Sequence, residues 1–170
     1  MSLRIIGAVF VIFGCGSFGY LLSAAYHREE RALKELLYAL DFMQCELQYH
    51  LTPLPELCRQ AAATARGPVK SILSKVAMEL EDQISADAGI CMMHVLESTK
   101  DIPESIGELL TMFGQTMGRF DLEGQIMGME AVRQACRKNI DTMAANKPVK
   151  VRCYQTLGLC TGAAIAILFV

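Results

Sequence analysis

Uncharged residues fill both ends of the chain, and charged residues are confined to its middle. Between Arg4 and His27 no residue carries a formal charge over 22 positions, or about 33 Å of helix. A second uncharged segment, 153–170, has 18 residues, or about 27 Å of helix. Because a hydrocarbon core is roughly 30 Å thick, the pattern predicts transmembrane helices at 1–26 and 153–170 around a polar domain at 27–152.

Basic residues flank both segments on the side of the central domain, and only Arg4 lies outside them. The positive-inside rule therefore predicts that the domain is cytoplasmic and that both termini face the far side of the membrane. The flanking basic residues are Arg28, Arg31, Lys34, Lys147, Lys150 and Arg152.

A cleaved signal peptide is the alternative interpretation of the first segment. Ser23 and Ala25 are acceptable small residues for the −3 and −1 positions of a cleavage site. The apolar run, however, is longer than the usual 7–15 residues of a signal peptide, and the basic flanks favour retention in the membrane. We therefore expect an uncleaved anchor.

Small residues recur within both predicted spans. Residues 14–19 spell GxGxxG, but no predicted strand precedes them, so they do not indicate a dinucleotide site. Small residues four apart let membrane helices approach closely, which predicts a packing face on each span, although glycine is also simply common in membrane helices. The residues predicted to pack are Gly19 and Ser23 in the first span and Gly158 and Gly162 in the second.

The central domain has helical periodicity and no convincing strand pattern. Six amphipathic stretches with short links predict an all-α fold, an antiparallel six-helix bundle flanked by the two transmembrane helices. Thr52, an Asp101–Glu104 capping box and Asp121 are the predicted helix starts. The predicted core positions include Leu33, Leu37, Leu40 and Leu47; Val69, Ile72, Leu73, Val76, Leu80 and Ile84; Ile106, Leu109, Leu110, Phe113 and Met117; and Leu122, Ile126, Met129, Cys136, Ile140 and Met143.

Two features of the last predicted bundle helix qualify this pattern. Arg133 occupies the one polar position among the regularly spaced apolar residues of this helix. A buried arginine needs a carboxylate partner, whereas one at the edge of the bundle extends to solvent, and we expect the second. Asn146-Lys147-Pro148 predicts a hinge between this helix and the second span.

Composition excludes several functional classes. The chain is 170 residues long, 52% hydrophobic and 20% charged, with a net charge of −2, so neither disorder nor a basic nucleic-acid-binding surface is expected. No P-loop sequence is present. The seven cysteines lack CxxC spacing, and Cys91-x-x-His94 supplies two ligands where zinc needs about four. We therefore expect no catalytic residue, no cofactor and no metal.

Charge within the domain is unevenly distributed. Between Glu79 and Glu108 there are eight acidic residues and one basic residue, Lys100. Between Arg119 and Arg152 there are seven basic and four acidic residues. Charged stretches are usually solvated helix faces, but an asymmetry of this kind can also orient a docking partner.

Three short islands resemble one protein family. The first runs from Glu46 to Leu54 and is similar to the pattern E-[IL]-x-Y-x-x-T-P-L. The second begins at Phe113 and is similar to F-G-x-x-[LM]-G-x-x-D-x-x-x-Q, and the third is Tyr154-x-x-Leu157-Gly158. Together, in this order and over essentially the whole chain, they resemble the stage III sporulation protein AB family. The residues that match its pattern are Glu46, Tyr49, Thr52, Pro53, Leu54, Gly114, Gly118, Asp121 and Gln125.

The resemblance implies a specific role. Members of this family are similar to the cytoplasmic domain of the inner-membrane platform protein of type II secretion and type IV pilus systems. They belong to the channel complex that links mother cell and forespore in endospore-forming bacteria. The implied location is the mother-cell membrane around the forespore. The implied partners are a cytoplasmic ATPase of the same operon, other membrane proteins of the channel and further copies of the chain.

An alternative of another class stays open at this point. A membrane-anchored helical sensor or regulator that binds a small ligand inside its bundle has the same length, spans and periodicity. A ligand-sized apolar cavity with convergent polar groups would favour that alternative.

Overall fold

A computed structural model describes the backbone of residues 2–82, 87–100, 102–117 and 121–169, and the side chains of 24–82, 87–100, 102–117 and 121–146. Six α-helices account for most of the described residues, which contain no strand. The all-α prediction is therefore confirmed. The helices are α1 (Ser2–His50), α2 (Leu54–Thr64), α3 (Gly67–Glu81), α4 (Ala88–Ser98), α5 (Glu104–Thr116) and α6 (Leu122–Phe169).

The first and last helices are longer than the sequence predicts. The first bundle helix and the preceding uncharged segment are one helix, α1, because no proline interrupts residues 2–50 and a cluster of charges does not end a helix. The predicted hinge at Asn146-Lys147-Pro148 is wrong, since α6 runs through it. A proline within a helix removes one backbone hydrogen bond, and the backbone here remains helical despite that loss.

The chain divides into two compact units, Met1–Glu30 with Thr142–Val170, and Arg31–Asp141. In the first unit, the Tyr26 hydroxyl donates a hydrogen bond to the carbonyl oxygen of Met143, so α1 and α6 are neighbours there. The predicted spans at 1–26 and 153–170, and the small-residue faces within them, fall almost entirely outside the described side chains. Within the part of the chain that is described, no helix combines the length and the hydropathy that crossing a bilayer requires.

The second unit is a helical bundle whose core is apolar. Val69, Ile72 and Val76 of α3 are buried, as are Ile106 and Phe113 of α5. All the core positions predicted for α5, including Met117 directly after its last residue, are buried. This agreement is expected, because apolar residues that recur every 3.6 positions mark the buried face of an amphipathic helix. No polar or charged side chain is fully buried among the described residues.

Helices α2 to α5 pack as successive neighbours, and α6 closes the bundle against α1. Lys75 donates a hydrogen bond to Thr99 Oγ1 at 2.9 Å, and Glu79 accepts one from His94 at 2.8 Å, so α3 and α4 run antiparallel. The backbone N–H of Arg66, before α3, donates to Glu35 of α1 at 3.1 Å. The antiparallel arrangement with short links that the sequence predicts is therefore present for α3 and α4.

Some predicted core positions are wrong. Leu36 of α1 is fully buried, while the predicted Leu37 is only half-buried. The predicted core residue Leu122 is 39% exposed, because it is the first residue of α6 and lies at the end of the bundle. Val132 of α6, which the pattern did not select, is buried. Ile84 lies outside the described residues.

The predicted start of α5 is also wrong. Glu104 is the first helical residue and Pro103 is the N-cap, so Glu104 is not in the third helical position that a capping box requires. Asp101 lies outside the described residues. Proline favours the first turn and restricts the residue before it, which moves the helix start toward Glu104.

Candidate functional site

The first family-like island forms the end of α1 and the turn that follows. Helix α1 ends at His50, and Leu51 adopts a left-handed backbone conformation with φ of 52°. Because Thr52 precedes a proline, helical backbone is disfavoured there and the chain must leave the helix. The turn brings the Thr52 hydroxyl 3.2 Å from Glu46 Oε2, to which it donates a hydrogen bond.

Glu46 is the centre of this turn. Its carboxylate also lies 3.3 Å from Nδ1 of His50, one helical turn later. Through these two contacts, the Glu46 side chain links the last turn of α1 to the segment that leads into α2. The sequence alone gave no local explanation for this glutamate, because its partner Thr52 is joined to it only by the turn.

The other residues of the first island have different surroundings. The prediction that Thr52 is the N-cap of α2 is wrong. Pro53 is the N-cap, and its carbonyl accepts the backbone N–H of Leu57 at 2.9 Å. Leu54 begins α2 and is half-buried. Tyr49 is 72% exposed on the surface of α1.

In the second island, Gly114 lies where α5 packs on α4, and Phe113 belongs to the buried face of α5. Phe113 is the largest fully buried side chain among the described residues. A Cβ atom built on Gly114 would lie 2.7 Å from Met92 Cβ and 3.3 Å from Gly89 Cα. Glycine is thus required at this position for the two helices to come this close.

The remaining residues of the second island surround the start of α6. Asp121 is an N-cap, as predicted, because its side chain accepts the backbone N–H of Gly124 at 3.0 Å. Its carbonyl accepts the backbone N–H of Gln125 at 2.9 Å. Gly118 lies outside the described residues.

A polar cluster joins α1 and α6 around Arg133. Its Nε lies 2.6 Å from Asp41 Oδ1, its Nη1 donates to Gln44 Oε1 at 2.6 Å, and it also pairs with Glu130. The N–H of Nε does not point at Oδ1, so that contact is an ion pair without an aligned hydrogen bond. Only 17% of the arginine side chain is exposed. The expectation that Arg133 extends to solvent is wrong, because α1 supplies its carboxylate.

The buried cysteines behave as small hydrophobic residues. Burial raises the pKa of the Cys58 thiol to about 12. Burial, and secondarily the charge of Asp41, raise the pKa of Cys136 to about 11, and its thiol donates to the Leu33 carbonyl at 3.3 Å. Cys91 is also buried, whereas Cys45 is exposed on α1. Because the thiolate is the reactive form, Cys58 and Cys136 are poor nucleophiles at neutral pH.

A second close approach of two helices, at Gly128, is not predictable from the sequence. A Cβ atom on Gly128 of α6 would lie 2.7 Å from Thr116 Cβ and still closer to the methyl carbon of that threonine. Glycine at 128 therefore lets α6 contact the end of α5. The residue sits in the middle of a helix, where sequence alone does not indicate which partner it faces.

In the acidic stretch from Glu79 to Glu108, some residues interact with other parts of the chain and others are exposed to solvent. Glu79 pairs with His94, Glu81 pairs with Arg59, and Asp87 caps α4 by accepting the backbone N–H of Gly89 at 2.8 Å. The acidic residues that remain exposed without an ion pair to another described residue include Glu97, Glu104 and Glu108. Within the described side chains, no group of three or more His, Cys, Asp or Glu residues is arranged to hold a metal ion.

Comparison with known proteins gives the fold and the family. A solved structure of stage III sporulation protein AB (SpoIIIAB) has the same fold, with a TM-score of 0.64 and 22% identity over 72% of this chain and 98% of that one. The stage III sporulation protein AB of Bacillus subtilis (strain 168) is 29% identical over 122 residues, 70% of this chain and 71% of that protein. The family model of stage III sporulation protein AB matches residues 4–170. The chain therefore belongs to the stage III sporulation protein AB family.

Proposed function

We propose that this protein is a non-enzymatic membrane platform of the channel between mother cell and forespore, and that its helical domain docks a cytoplasmic ATPase. The family match over residues 4–170 is the observation that carries the proposal. In this account the domain provides a binding surface and the two terminal segments hold it at the membrane.

The ends of the chain support the membrane anchor. Residues 5–26 and 153–170 are uncharged, and basic residues lie only on the domain side of each segment apart from Arg4. Both segments continue without interruption from bundle helices, α1 and α6. A continuous helix satisfies its own backbone hydrogen bonds, which a chain that crosses hydrocarbon must do.

The exposed acidic residues support the docking surface. Glu104 and Glu108 are four residues apart on α5, and therefore lie on the same side of the helix. Both are exposed and form no ion pair with another described residue. A partner with a basic surface would gain attraction here without displacing an internal contact.

We expect the double reversal E104K/E108K to reduce recovery of the ATPase encoded in the same operon about tenfold, because two attractive contacts become repulsive. The measurement is co-purification of that ATPase with the full-length chain from membranes in neutral detergent. Recovery with the unchanged chain should also fall as salt rises, because exposed charges are screened beyond about 8 Å at physiological ionic strength.

A matched control is E123K/D141K. Both residues are exposed on α6, and Glu123, like Glu104, is an acidic residue in the first turn of its helix. The control therefore has the same change in net charge, and it also loses the favourable interaction of a first-turn glutamate with the helix dipole. ATPase recovery should be retained in the control. Equal recovery from the two double variants would overturn docking at Glu104 and Glu108.

A further inference from the structure

Helices α4 and α5 lie side by side and run in opposite directions. Gly114, near the end of α5, lies against Gly89 and Met92, near the start of α4, and only five residues join the end of α4 to the start of α5. Because both helices rise by about 1.5 Å per residue, Gly107, seven residues before Gly114, lies about level with Glu97 of α4. Packed helices leave a groove between them along their outer sides.

The outer sides of these two helices combine apolar and acidic residues. Ile90 and Met93 are 50% and 51% exposed, although both are apolar. Their spacing places them on one side of α4, away from the buried residues of the same helix. We call the surface along this groove the α4–α5 face, which consists of Ile90, Met93 and Glu97 of α4 and Glu104, Gly107 and Glu108 of α5.

The carboxylates of the α4–α5 face are not used within the described part of the chain. Glu97, Glu104 and Glu108 are exposed and form no ion pair with another described residue. The described bases on neighbouring segments are Lys100, in the link between the two helices, and Lys75, which donates a hydrogen bond to the end of α4 from α3. The face therefore has a surplus of negative charge.

Gly107 adds an observation that is independent of charge. Glycine within a helix is less stable than alanine, so a mid-helix glycine needs a reason. Gly114 has one inside the bundle, whereas a Cβ atom built on Gly107 meets no heavy atom within 4 Å. No contact among the described residues therefore requires glycine at position 107. Glycine does allow another backbone to approach closely, and at this position the open side faces out of the bundle.

The chemistry of the α4–α5 face selects its occupant. Negative charge repels phosphate groups, which excludes nucleic acid and the anionic surface of a membrane. Within the described side chains, the carboxylates are not grouped to hold a metal ion. The described residues also contain no strand to which a partner strand could be added. A helix with basic residues beside an apolar row fits both the groove and its charge.

We infer that the α4–α5 face binds a basic, amphipathic helix of the docked partner. The apolar row of that helix contacts Ile90 and Met93, its backbone crosses at Gly107, and its basic residues lie beside the three carboxylates. This inference rests on the proposed docking at Glu104 and Glu108. It extends that docking by naming the partner segment and by adding an apolar contact and a close approach of two backbones.

Gly107→Leu tests the close approach. The new side chain begins in open space and favours the helix, so the variant should resist urea unfolding at least as well as the unchanged chain. It also fills the place of the partner helix, so recovery of the ATPase in the co-purification should fall at least fivefold. Ala63→Leu, at an exposed position of α2, is the matched control and should retain recovery.

The double variant I90Q/M93Q tests the apolar contact. Glutamine keeps helix propensity and length but removes the apolar surface, and we expect at least a fivefold loss of ATPase recovery. The control M78Q/M127Q makes the same change at positions that are 62% and 74% exposed elsewhere on the bundle, and should retain recovery. Far-UV circular dichroism checks that both variants remain helical.

These variants separate failure of the inference from failure of the proposed docking. If E104K/E108K lowers recovery while G107L and I90Q/M93Q do not, the acidic residues still dock the ATPase and the helix inference is overturned. If E104K/E108K has no effect, the proposed docking fails, and the inference fails with it. Loss of recovery in all three variants supports both.

Photo-cross-linking identifies the partner segment. The full-length chain carries benzoylphenylalanine in place of Met93 and is irradiated in the co-purified complex, and mass spectrometry locates the linked ATPase residues. We expect a helix with at least two Lys or Arg residues beside apolar residues three or four positions apart. Changing those bases to glutamate should restore at least half of the recovery lost in E104K/E108K. A linked segment without bases, or no restoration, would overturn the inference.

Discussion

Phe113→Ala should reduce the free energy of unfolding by about 3–5 kcal/mol, the usual cost of truncating a buried phenylalanine. Phe113 is only 2% exposed, and Leu109 and Leu110, four and three residues earlier on the same face of α5, are also buried. Removing the ring forfeits its transfer free energy and leaves a cavity that rigid helices fill only in part. Because domains are stable by about 5–15 kcal/mol in total, the variant should be largely depleted in cells.

The measurement is urea unfolding of the full-length chain in detergent micelles, followed by pulse proteolysis. Phe113→Leu is the matched control, since it retains most of the apolar volume and should cost less than about 1.5 kcal/mol. A loss below 1 kcal/mol for Phe113→Ala would contradict the assignment of Phe113 to the core.

Two glycines of α5 should respond in opposite directions to the same substitution. Gly114→Ala should lower the free energy of unfolding by about 1–2 kcal/mol, because the new methyl group would lie 2.7 Å from Met92 Cβ, an atom that the α4 backbone holds in place. The alanine gains helix propensity of about 0.5–1 kcal/mol, which offsets only part of the overpacking. The two helices must therefore separate.

Gly107→Ala supplies the control within the same helix. A Cβ atom at position 107 meets no heavy atom within 4 Å, so only the gain in helix propensity remains, about 0.5–1 kcal/mol of added stability. The same unfolding assay measures both variants, and their free energies of unfolding should differ by about 1.5–3 kcal/mol. If Gly114→Ala is as stable as Gly107→Ala, the close approach of α4 and α5 is not present in the protein.

The buried faces of the short helices were predictable from sequence, and the reasons for errors are local. In α5 and α3 the apolar period matches the helical repeat, so the core face follows directly. In α1 the leucines cover a band wider than the buried face, and a search for leucines at helical spacing selected Leu37, at the edge of that face, in place of Leu36. Periodicity locates the buried face but does not fix which residues at its edge are fully buried.

Long-range partners were not predictable. Arg133 and Asp41 are separated by most of the domain in sequence, and only the packing of α6 on α1 brings them together. The sequence correctly posed a choice between a carboxylate partner and solvent, but could not locate the carboxylate. Gly128 is a similar case, because its partner Thr116 belongs to another helix.

The family-like residues divide into those that sequence could explain and those that it could not. Asp121 is a helix cap, as local chemistry predicts. Thr52 has the residue type of a cap, but the proline after it takes the capping position and leaves the hydroxyl for Glu46. Turn geometry decided between these two uses of one hydroxyl, and a sequence pattern does not specify that geometry.

The central proposal is that the chain crosses a membrane twice and that its helical domain lies on the cytoplasmic side. The exposed Cys45 reports the side of the domain, and S2C reports the side of the amino terminus. Each is retained in turn, as C45S/S2C or with Cys45 alone, in a full-length chain whose Cys15, Cys153 and Cys160 are alanine. The measurement is labelling by a membrane-impermeant maleimide, on intact protoplasts of vegetative cells that express the chain in their surface membrane, and on the same protoplasts after permeabilisation. The account predicts that S2C is labelled in intact protoplasts, whereas Cys45 is labelled only after permeabilisation. Labelling of Cys45 in intact protoplasts, or release of the protein from membranes by alkaline carbonate, would contradict it.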